Sequence, residues 1–422
     1  MATAHDLDSR VVIVGAGHAG VETALGLREH DHRGQITLVG DEPTPPYERP
    51  PLSKAWLHGQ AQFENLVLRA TKVYEENNIE MRTGCRVDAV DAVEQTVTTA
   101  EGETLHYDHL VLATGATPRA LPIPGGDLAG VHHLHTWSDA RGLRDHLHTA
   151  TSVVVIGGGF IGLEAAAAAR KRGLAVRVLE AQARVMQRAA TAPVSAFYEA
   201  LHRDAGTGIS TDTFATELTG SGGHVDAVVL STGEIIAADL VVVGIGIVPN
   251  VELAQLAGLP IDNGIVVDEH LMTSDPHISA IGDCANFPSF DGAGRLRLES
   301  VQNASDQGRI VAKRLTGTSE SYSTVPWFWT DQLGCKLQMA GLTSDSDEHV
   351  VLGEPKDKKF TVLSWRNGVF TGGESVNRPG DHIAIRKLLA RSRVELGPAT
   401  ASAADFTLKG YLKSLDNPVI AG

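Results

Sequence analysis

The length of 422 residues exceeds one ordinary domain, since domains average roughly 150 residues, and we therefore expect two or three domains. The formal net charge of -15 disfavours nucleic acid and anionic membrane surfaces as partners, because both require a local excess of Lys and Arg. Hydrophobic residues make up 42% of the chain and glycine occurs 44 times, which is typical of an α/β enzyme rich in tight strand-to-helix turns.

Three cysteines, Cys85, Cys284 and Cys335, lie far apart in the sequence and form no C-x-x-C pair. The spacing predicts neither a redox-active disulfide nor a metal site. Because an iron-sulfur cluster normally requires four thiolates, we expect the chain to carry none. Residues 1–10 include acidic side chains and no apolar stretch, and no run of about 18 apolar residues follows. A cytoplasmic protein is the expectation.

The first predicted unit is a strand over 11–14, a helix over about 18–30 and a strand over 36–39. Gly15-x-Gly17-x-x-Gly20 stands between its first strand and its helix. These glycines permit a tight turn and close approach of a pyrophosphate to the positive end of the helix. One carboxylate of Asp41 or Glu42, after the second strand, is expected to bind an adenosine ribose. The alternative is that the glycines only close a turn.

The segment PPYERPPLSK over 45–54 is an irregular proline-rich loop with two basic residues, Arg49 and Lys54. A basic pair after the first ribose-binding strand suits a phosphate or the edge of a flavin ring. The alternative is that both charges are solvated, as most charges in such loops are.

A second unit repeats the first, with strands over 153–156 and 176–179 and a helix over 160–171. Gly157-x-Gly159-x-x-Gly162 stands at the turn, and Glu180 ends the second strand at the acidic position. A carboxylate there binds the 2'-hydroxyl of NAD and repels the additional phosphate of NADP. Arg184 is a competing signal, since it suits a phosphate, although the alternative is a solvated surface arginine.

Three more apolar strands, over 110–114, 240–243 and 278–281, end in small residues where ligands bind in such sheets. If Gly115 and Gly246 mark the crossings, the second fold is inserted into the first. The chain beyond about Ser323 has aromatic and alternating stretches over 327–329, 350–352 and 360–364 and a helix over 383–390, which predicts a separate α+β domain.

Taken together, VVIVGAGHAG, LVGDE with PYERPPLSK, LVLATGATPR, VVVIGGGFIGLEAA, VVVGIGIVPN, ISAIGDCA, RLESVQNA and PWFWTDQ span nearly the whole chain. In these segments the sequence resembles the FAD-dependent, NADH-using ferredoxin reductases of bacterial oxygenase systems. The resemblance implies a glutathione-reductase-like α/β fold: a discontinuous FAD-binding domain over 1–116 and 247–322, an NADH-binding domain over 117–246 and a carboxy-terminal α+β domain over 323–422.

The resemblance also implies roles for individual residues. Lys54 and Glu164 would form a charged pair beside the reactive nitrogen of the flavin and would be the catalytic residues. Because an unpaired buried carboxylate is costly, Lys54 would also make Glu164 tolerable. The residues implied for FAD are Gly15, Gly17, Gly20, Asp41, Glu42, Arg49, Lys54, Thr114, Gly115, Arg119, Asp283, Val301 and Trp329. Those for NAD are Gly157, Gly159, Ile161, Gly162, Glu180, Arg184 and Gly246; no metal is expected.

The implied activity is electron transfer from NADH through FAD to a two-iron two-sulfur ferredoxin that serves a haem monooxygenase or a ring-hydroxylating dioxygenase. A rubredoxin reductase or a general NADH diaphorase would share the cofactor residues. Disulfide reductases are disfavoured, because Leu52-Ser53-Lys54 stands where they keep cysteine. A redox-gated interaction protein resembling apoptosis-inducing factor would require a leader and a basic surface. A monomer or weak dimer is expected.

Two features bear on the acceptor. Members of the family commonly have Tyr-Asp after the segment WTDQ, whereas this chain has Leu333, Gly334 and Cys335, and we expect an altered loop there, with Cys335 as a small packed residue. An acidic ferredoxin also predicts a basic rim on the reductase. The candidate residues for this rim are Arg309, Lys313, Arg314, Arg386, Lys387 and Lys409.

Overall fold

A computed structural model describes residues 7–391 and 394–416, so part of the amino-terminal segment considered above lies outside the described residues. The chain is divided into two compact units. Unit 1 comprises Met1–Glu48, Gln62–Thr117 and Ile247–Thr324, and unit 2 comprises Arg49–Ala61, Pro118–Gly246 and Val325–Gly422. The division into three domains expected from the sequence stays a prediction.

The described residues form the following strands and α-helices. The strands are β1 Val11–Val14, β2 Ile36–Val39, β3 Ile79–Arg82, β4 Val87–Asp91, β5 Thr96–Thr99, β6 Thr104–His106, β7 His109–Leu112, β8 Ala116–Pro118, β9 Val131–His132, β10 Ser152–Ile156, β11 Ala175–Leu179, β12 Gly208–Ser210, β13 Ala215–Ser221, β14 His224–Leu230, β15 Ile235–Ala237, β16 Leu240–Val243, β17 Ile247–Pro249, β18 Ile265–Val266, β19 Ile278–Ala280, β20 Ala285–Pro288, β21 Arg295–Leu296, β22 Trp327–Gln332, β23 Cys335–Gly341, β24 Glu348–Glu354, β25 Lys359–Arg366 and β26 Val369–Val376. The helices are α1 His18–Glu29, α2 Thr71–Glu76, α3 Trp137–His146, α4 Phe160–Lys171, α5 Ala192–Asp204, α6 Glu252–Leu256, α7 Val301–Leu315, α8 Pro379–Leu389, α9 Pro398–Ala401 and α10 Leu408–Asp416.

Unit 1 is built on a five-stranded parallel sheet in the order β19-β7-β1-β2-β3. Every residue of β1 and β2 is buried, as expected for parallel strands that are covered on both faces. Helices α1 and α7 pack closely because Gly308 has no side chain: a Cβ there would lie 2.6 Å from the carbonyl oxygen of Ala19. An antiparallel sheet of β4, β5 and β6 is attached to this unit.

Unit 2 contains a second parallel sheet, in the order β12-β11-β10-β16-β9. Helix α4 follows β10 and is almost wholly buried on its alanine-rich face. The register pairs Val153 with Val176 on one side and with Leu240 on the other. The repeated strand-helix-strand plan inferred from the sequence is therefore present in both units.

The carboxy-terminal part of unit 2 is an antiparallel sheet in the order β22-β23-β26-β25-β24, with α8 packed on it. Strands β22 and β23 are joined by the two-residue turn of Leu333 and Gly334, which have φ of 50° and 75°. Two positive φ values are those of a type I′ turn, which matches the twist of a hairpin. The segment Leu333-Gly334-Cys335, which differs from the family pattern, therefore forms a tight hairpin turn. Cys335 is buried after it, as expected of a small packed residue.

Two strands end earlier than the sequence predicts. Strand β7 ends at Leu112 instead of residue 114, and β19 ends at Ala280 instead of residue 281. In the first case Gly115 turns the chain at a φ of 66°, and the Thr114 hydroxyl donates to the carbonyl oxygen of Asn250 at 2.7 Å.

Over the described ranges, none of the helices combines the length and apolar character needed to cross a membrane.

Candidate functional site

The first glycine motif forms the turn between β1 and α1. Gly15 has a φ of 116°, and a Cβ there would lie 2.0 Å from the carbonyl oxygen of Ala113. A Cβ at Gly20 would lie 2.0 Å from the carbonyl oxygen of Gly15. Gly17 differs, because nothing stands within 4 Å of its Cβ position. The fold therefore requires the outer two glycines, whereas the middle one leaves open space above the start of the helix.

The second motif has the same geometry between β10 and α4. A Cβ at Gly157, where φ is 106°, would lie 2.3 Å from the carbonyl oxygen of Gly244, and one at Gly162 would lie 2.0 Å from that of Gly157. Nothing stands within 4 Å of the Cβ position of Gly159. The alternative that these glycines only close a turn accounts for the outer glycines and leaves Gly17 and Gly159 unexplained.

Both helices present their amino-terminal N–H groups without a side-chain cap. Gly17 and Gly159 are the N-cap residues of α1 and α4, and neither helix start has a side-chain cap hydrogen bond. A helix start carries about half a positive charge and up to four unpaired donors. Donors of this kind beneath open space fit the pyrophosphate of a dinucleotide in each fold.

Glu180 follows β11 and is held in place by backbone donors. Its carboxylate accepts from the N–H of Gly158 and from the N–H of Gln182, both at 2.8 Å. A carboxylate oriented in this way beside the glycine turn fits the diol of an adenosine ribose. Ile161, in the first turn of α4, has 41% of its surface exposed and so also remains accessible to a ligand.

Arg184 lies in the segment between β11 and α5 and is partly buried. Its guanidinium donates to the carbonyl oxygen of Ala190 at 2.7 Å, to the hydroxyl of Ser195 at 2.5 Å and to the carbonyl oxygen of Gln187 at 3.1 Å. Burial lowers the pKa of this guanidinium from its usual value. Arg184 is therefore partly buried, with donors engaged by the loop and by Ser195 of α5, and its role toward NAD stays a prediction.

Lys54 and Glu164 form the expected ion pair. The Lys54 ammonium lies 2.9 Å from one carboxylate oxygen of Glu164 and 3.0 Å from the other. The Glu164 side chain is 1% exposed, whereas that of Lys54 is 21% exposed. Two hydroxyls, of Ser53 and of Thr330, also donate to the carboxylate. The pair is thus a buried anion surrounded by donors, with a cation that reaches the surface.

Two residues of this cluster were missed in the sequence, Ser53 and Thr330. Each stood inside a segment that carried the family resemblance, Ser53 beside Lys54 and Thr330 beside Trp329. Thr330 is fully buried on β22, and no local pattern links it to Glu164, which precedes it by 166 residues. For Ser53 the only available signal was its position next to the predicted cation.

Four other residues named for FAD lie at turns or strand ends. The Arg49 guanidinium donates to the carbonyl oxygen of His135 at 2.7 Å, and the Arg119 N–H donates to the carbonyl oxygen of Gly246 at 2.9 Å. The Glu42 carboxylate accepts from the Tyr47 hydroxyl at 2.7 Å, while Asp41 is exposed. Their roles toward FAD stay predictions.

The remaining FAD residues lie in a short turn, at the start of a helix and within a strand. Asp283 belongs to a short 3-10 turn directly after β19, and its carbonyl oxygen accepts from Arg297 at 3.1 Å. Val301 is the first residue of α7. Trp329 is half-buried on β22, with its ring centroid 5.6 Å from that of Trp327. Packing and contact with a flavin are both compatible with this position.

The basic rim expected from the sequence is wrong for Arg314. This side chain is buried and donates to the carbonyl oxygen of His270 at 2.6 Å and to the hydroxyl of Ser279 at 2.5 Å. It lies on the inner face of α7, where a charge is kept by buried acceptors rather than by solvent. The rim's two other residues on that helix, Arg309 and Lys313, form ion pairs with acidic neighbours.

The cysteines give no redox pair. Cys284 and Cys335 are buried, and Cys85 is half-buried. Burial raises the pKa of all three thiols above their usual value, which makes them poor nucleophiles. Residues 7–391 and 394–416 contain no group of three or more His, Cys, Asp or Glu side chains arranged to hold a metal ion.

Comparison with known proteins agrees with this geometry. Residues 9–308 match the family model described as pyridine nucleotide-disulphide oxidoreductase, and residues 327–412 match the one described as reductase C-terminal. Rhodocoxin reductase of Rhodococcus erythropolis is 49% identical over 94% of this chain and 93% of that protein. A rubredoxin-NAD(+) reductase of Pseudomonas putida is 40% identical over 87% of this chain and 96% of that protein.

A solved structure covers the same extent. The covalent putidaredoxin reductase-putidaredoxin complex matches with a TM-score of 0.94 and 41% identity, over 98% of this chain and 100% of the matched chain. The predicted α/β architecture is therefore confirmed, as is the resemblance on which it partly rested. The chain belongs to the pyridine nucleotide-disulphide oxidoreductase family, within its group of ferredoxin reductases, oxidoreductases that use FAD and NAD(P)H.

Proposed function

We propose that this protein transfers electrons from NADH through FAD to a two-iron two-sulfur ferredoxin. That ferredoxin would serve a haem monooxygenase or a ring-hydroxylating dioxygenase. We place the reaction in the cytoplasm, with a monomer or weak dimer as the working form and no role for nucleic acid or membrane. The observation that supports the proposal best is the pair of matching glycine turns whose middle glycines face open space.

The preference for NADH over NADPH is supported by two side chains. Glu180 is held by two backbone N–H groups beside the second glycine turn, so a 2'-phosphate would meet a fixed negative charge. Arg184, which could have offset that charge, donates hydrogen bonds to Ala190 of its own loop and to Ser195 of α5. Replacing Glu180 by Ala is expected to weaken NADH binding and to reduce the discrimination against NADPH, which the ratio of kcat/KM for the two nucleotides measures.

Bound FAD would supply an acceptor for the hydride of the nicotinamide and a means of releasing two electrons one at a time. The protein's own part is to bind, to orient and to set the charge around the ring. In the proposal, Lys54 would supply positive charge to the bound flavin and so stabilise the negative charge that reduction brings. Glu164 holds the Lys54 ammonium at 2.9 Å and keeps it from turning toward solvent. Both groups are positioned before the ligand arrives, which avoids reorganisation during the reaction.

A separate electron carrier is required in this scheme. The three cysteines are spread over both units, and burial raises the pKa of their thiols. An iron-sulfur cluster normally needs four thiolates. Single electrons must therefore leave to another protein. Putidaredoxin is the partner named in the matched complex, and we propose a partner of the same kind for this chain.

The decisive experiment uses the purified protein with its flavin. We expect a flavin absorption spectrum that bleaches when NADH is added, and rapid NADH-driven reduction of a two-iron two-sulfur ferredoxin from the same genome. Reduction of a small dye by the same preparation is the control for the NADH-to-FAD half of the reaction. A colourless protein that takes up no added FAD would contradict the whole proposal.

A rubredoxin reductase is the second candidate, because the rubredoxin-NAD(+) reductase relative is 40% identical over nearly all of its length. Both activities share the cofactor residues and differ only in the acceptor. Competition between a ferredoxin and a rubredoxin at equal concentration separates them: faster reduction of the rubredoxin would replace the ferredoxin in our proposal. Equal, slow reduction of both with rapid dye reduction would indicate a general NADH diaphorase.

A further inference from the structure

A chain of buried hydrogen bonds runs from Glu164 to helix α5. The Thr330 hydroxyl donates to Glu164 at 2.5 Å, Thr330 in turn contacts the Gln332 amide at 3.1 Å, and that amide contacts His202 Nε2 at 3.0 Å. Thr330 and Gln332 are two residues apart on β22 and therefore point to the same face of the strand. All four side chains are at most 2% exposed.

The ionised carboxylate at one end sets the direction of every bond. An ionised Glu164 only accepts, so the Thr330 hydroxyl must donate to it. Thr330 Oγ1 then accepts from Nε2 of Gln332, which leaves Oε1 of Gln332 to accept from His202. Nε2 of His202 must therefore carry a proton, and the neutral tautomer with its proton on that nitrogen meets this requirement. Each hydrogen in the chain points toward Glu164.

His202 is suited to close such a chain. Its Nδ1 is buried and has no hydrogen-bond partner among the described residues, as expected of the unprotonated nitrogen in that tautomer. Burial lowers the pKa of its imidazole, although the contact with Gln332 opposes the shift. Helix α5, which carries His202, is held against the carboxy-terminal sheet by the hydroxyl of Tyr198, which donates to the carbonyl oxygen of Cys335 at 3.2 Å.

We propose that Thr330, Gln332 and His202 are positioning residues that fix Glu164 as an oriented anion and thereby tune the charge that Lys54 presents to the flavin. The inference rests on the proposed function, since it deepens the role of the Lys54–Glu164 pair. Aligned hydrogen bonds polarise one another, so the amide and the imidazole contribute to Glu164 although neither touches it. The chain offsets part of the carboxylate's negative charge and leaves Lys54 more effective as a cation.

The first test is the two-electron midpoint potential of the bound FAD. Replacing Thr330 by Val removes the hydroxyl while keeping the shape, and is expected to lower the potential. The reduced-to-oxidised ratio at a fixed potential should fall at least threefold, which is about 14 mV for a two-electron couple. Gln332→Leu should shift the potential in the same direction by less. Thr330→Ser retains the hydroxyl and should restore the wild-type value.

Tyr198→Phe is the matched control, because it removes a buried hydroxyl that joins the same helix to the same sheet but takes no part in the hydrogen-bond chain. It is expected to leave the potential unchanged. An equal shift in Tyr198→Phe and Thr330→Val would overturn the proposal and indicate a merely structural effect. An unshifted potential in a folded, FAD-loaded Thr330→Val would also overturn it.

The second test does not depend on the flavin. Histidine ring ¹⁵N NMR, with the His202 signals identified by their loss in His202→Leu, is expected to show a neutral ring protonated on Nε2. A neutral ring with its proton on Nδ1 would reverse the direction of the hydrogen bonds and make Glu164 a donor, that is, a protonated carboxyl group. This result would overturn the proposal. A wild-type protein that takes up no FAD would refute the proposed function, and the tautomer would then decide whether the chain is oriented as we infer.

Discussion

A methyl group added at Gly159 is expected to weaken NADH binding while leaving the fold and the FAD content unchanged. Gly159 has a φ of -78° and a ψ of -176°, which alanine adopts without strain, and its Cβ position meets nothing within 4 Å. The change in the free energy of unfolding should therefore stay within about 1 kcal/mol, since the loss of chain entropy in the unfolded state and the weaker cap offset each other.

The loss of affinity follows from the space that the methyl group fills. If the pyrophosphate approaches the start of α4 over Gly159, the methyl displaces it and at least one charge-assisted hydrogen bond is lost. Such bonds are worth about 1.5–3 kcal/mol, and about 1.4 kcal/mol is tenfold in affinity. We therefore expect the Kd for NADH, measured by titration of the flavin-loaded protein, to rise roughly tenfold to a hundredfold.

Gly397→Ala is the matched control for this experiment. Gly397 is also an uncapped N-cap residue, with a φ of -88° and open space at its Cβ position, but it precedes the short helix α9 of the carboxy-terminal part. This variant should bind NADH as the wild type does. A folded Gly159→Ala protein whose Kd for NADH stays within about twofold of wild type would refute the assignment of the second glycine turn to the dinucleotide.

Three further predictions concern other parts of the chain. Gly17→Ala should purify with little FAD yet give a folded apoprotein, as flavin absorbance and circular dichroism would show. Full flavin content would contradict the assignment of the first glycine turn to FAD. Arg314→Met leaves the Ser279 hydroxyl and its neighbours without their buried donor, so the free energy of unfolding should fall by about 3 kcal/mol in denaturant titrations, and a change below about 0.5 kcal/mol would contradict the buried role. The pKa of His132 is lowered from 6.5 to about 4 by burial and by His146, so the folded state keeps a neutral ring while the unfolded chain takes up a proton. The free energy of unfolding should therefore fall as the pH drops from about 6.5 to about 4. His132→Phe should reduce this loss by about 1 kcal/mol, and an unchanged loss would contradict the lowered pKa.

The sequence alone determined the two dinucleotide folds. The last glycine of each motif is required by nearby backbone, since a Cβ at Gly20 would meet the carbonyl oxygen of Gly15 five residues earlier. Buried strands such as Val11–Val14 are continuous apolar runs, and α4 begins directly after its glycine turn, at the predicted residue. Such requirements involve residues that are close in the sequence, so the strand-glycine-helix pattern could be predicted without knowledge of the fold.

Only the tertiary structure decided which side chains surround Glu164. Its hydroxyl partners Ser53 and Thr330 are 111 and 166 residues away, and no local period connects them to Glu164. The same holds for Arg314, which looks like any helix-surface cation in sequence but points to the inner face of α7, where His270 and Ser279 accept its bonds. Contacts between distant segments depend on how sheets and helices pack, and that packing is a property of the whole fold rather than of any short stretch of sequence.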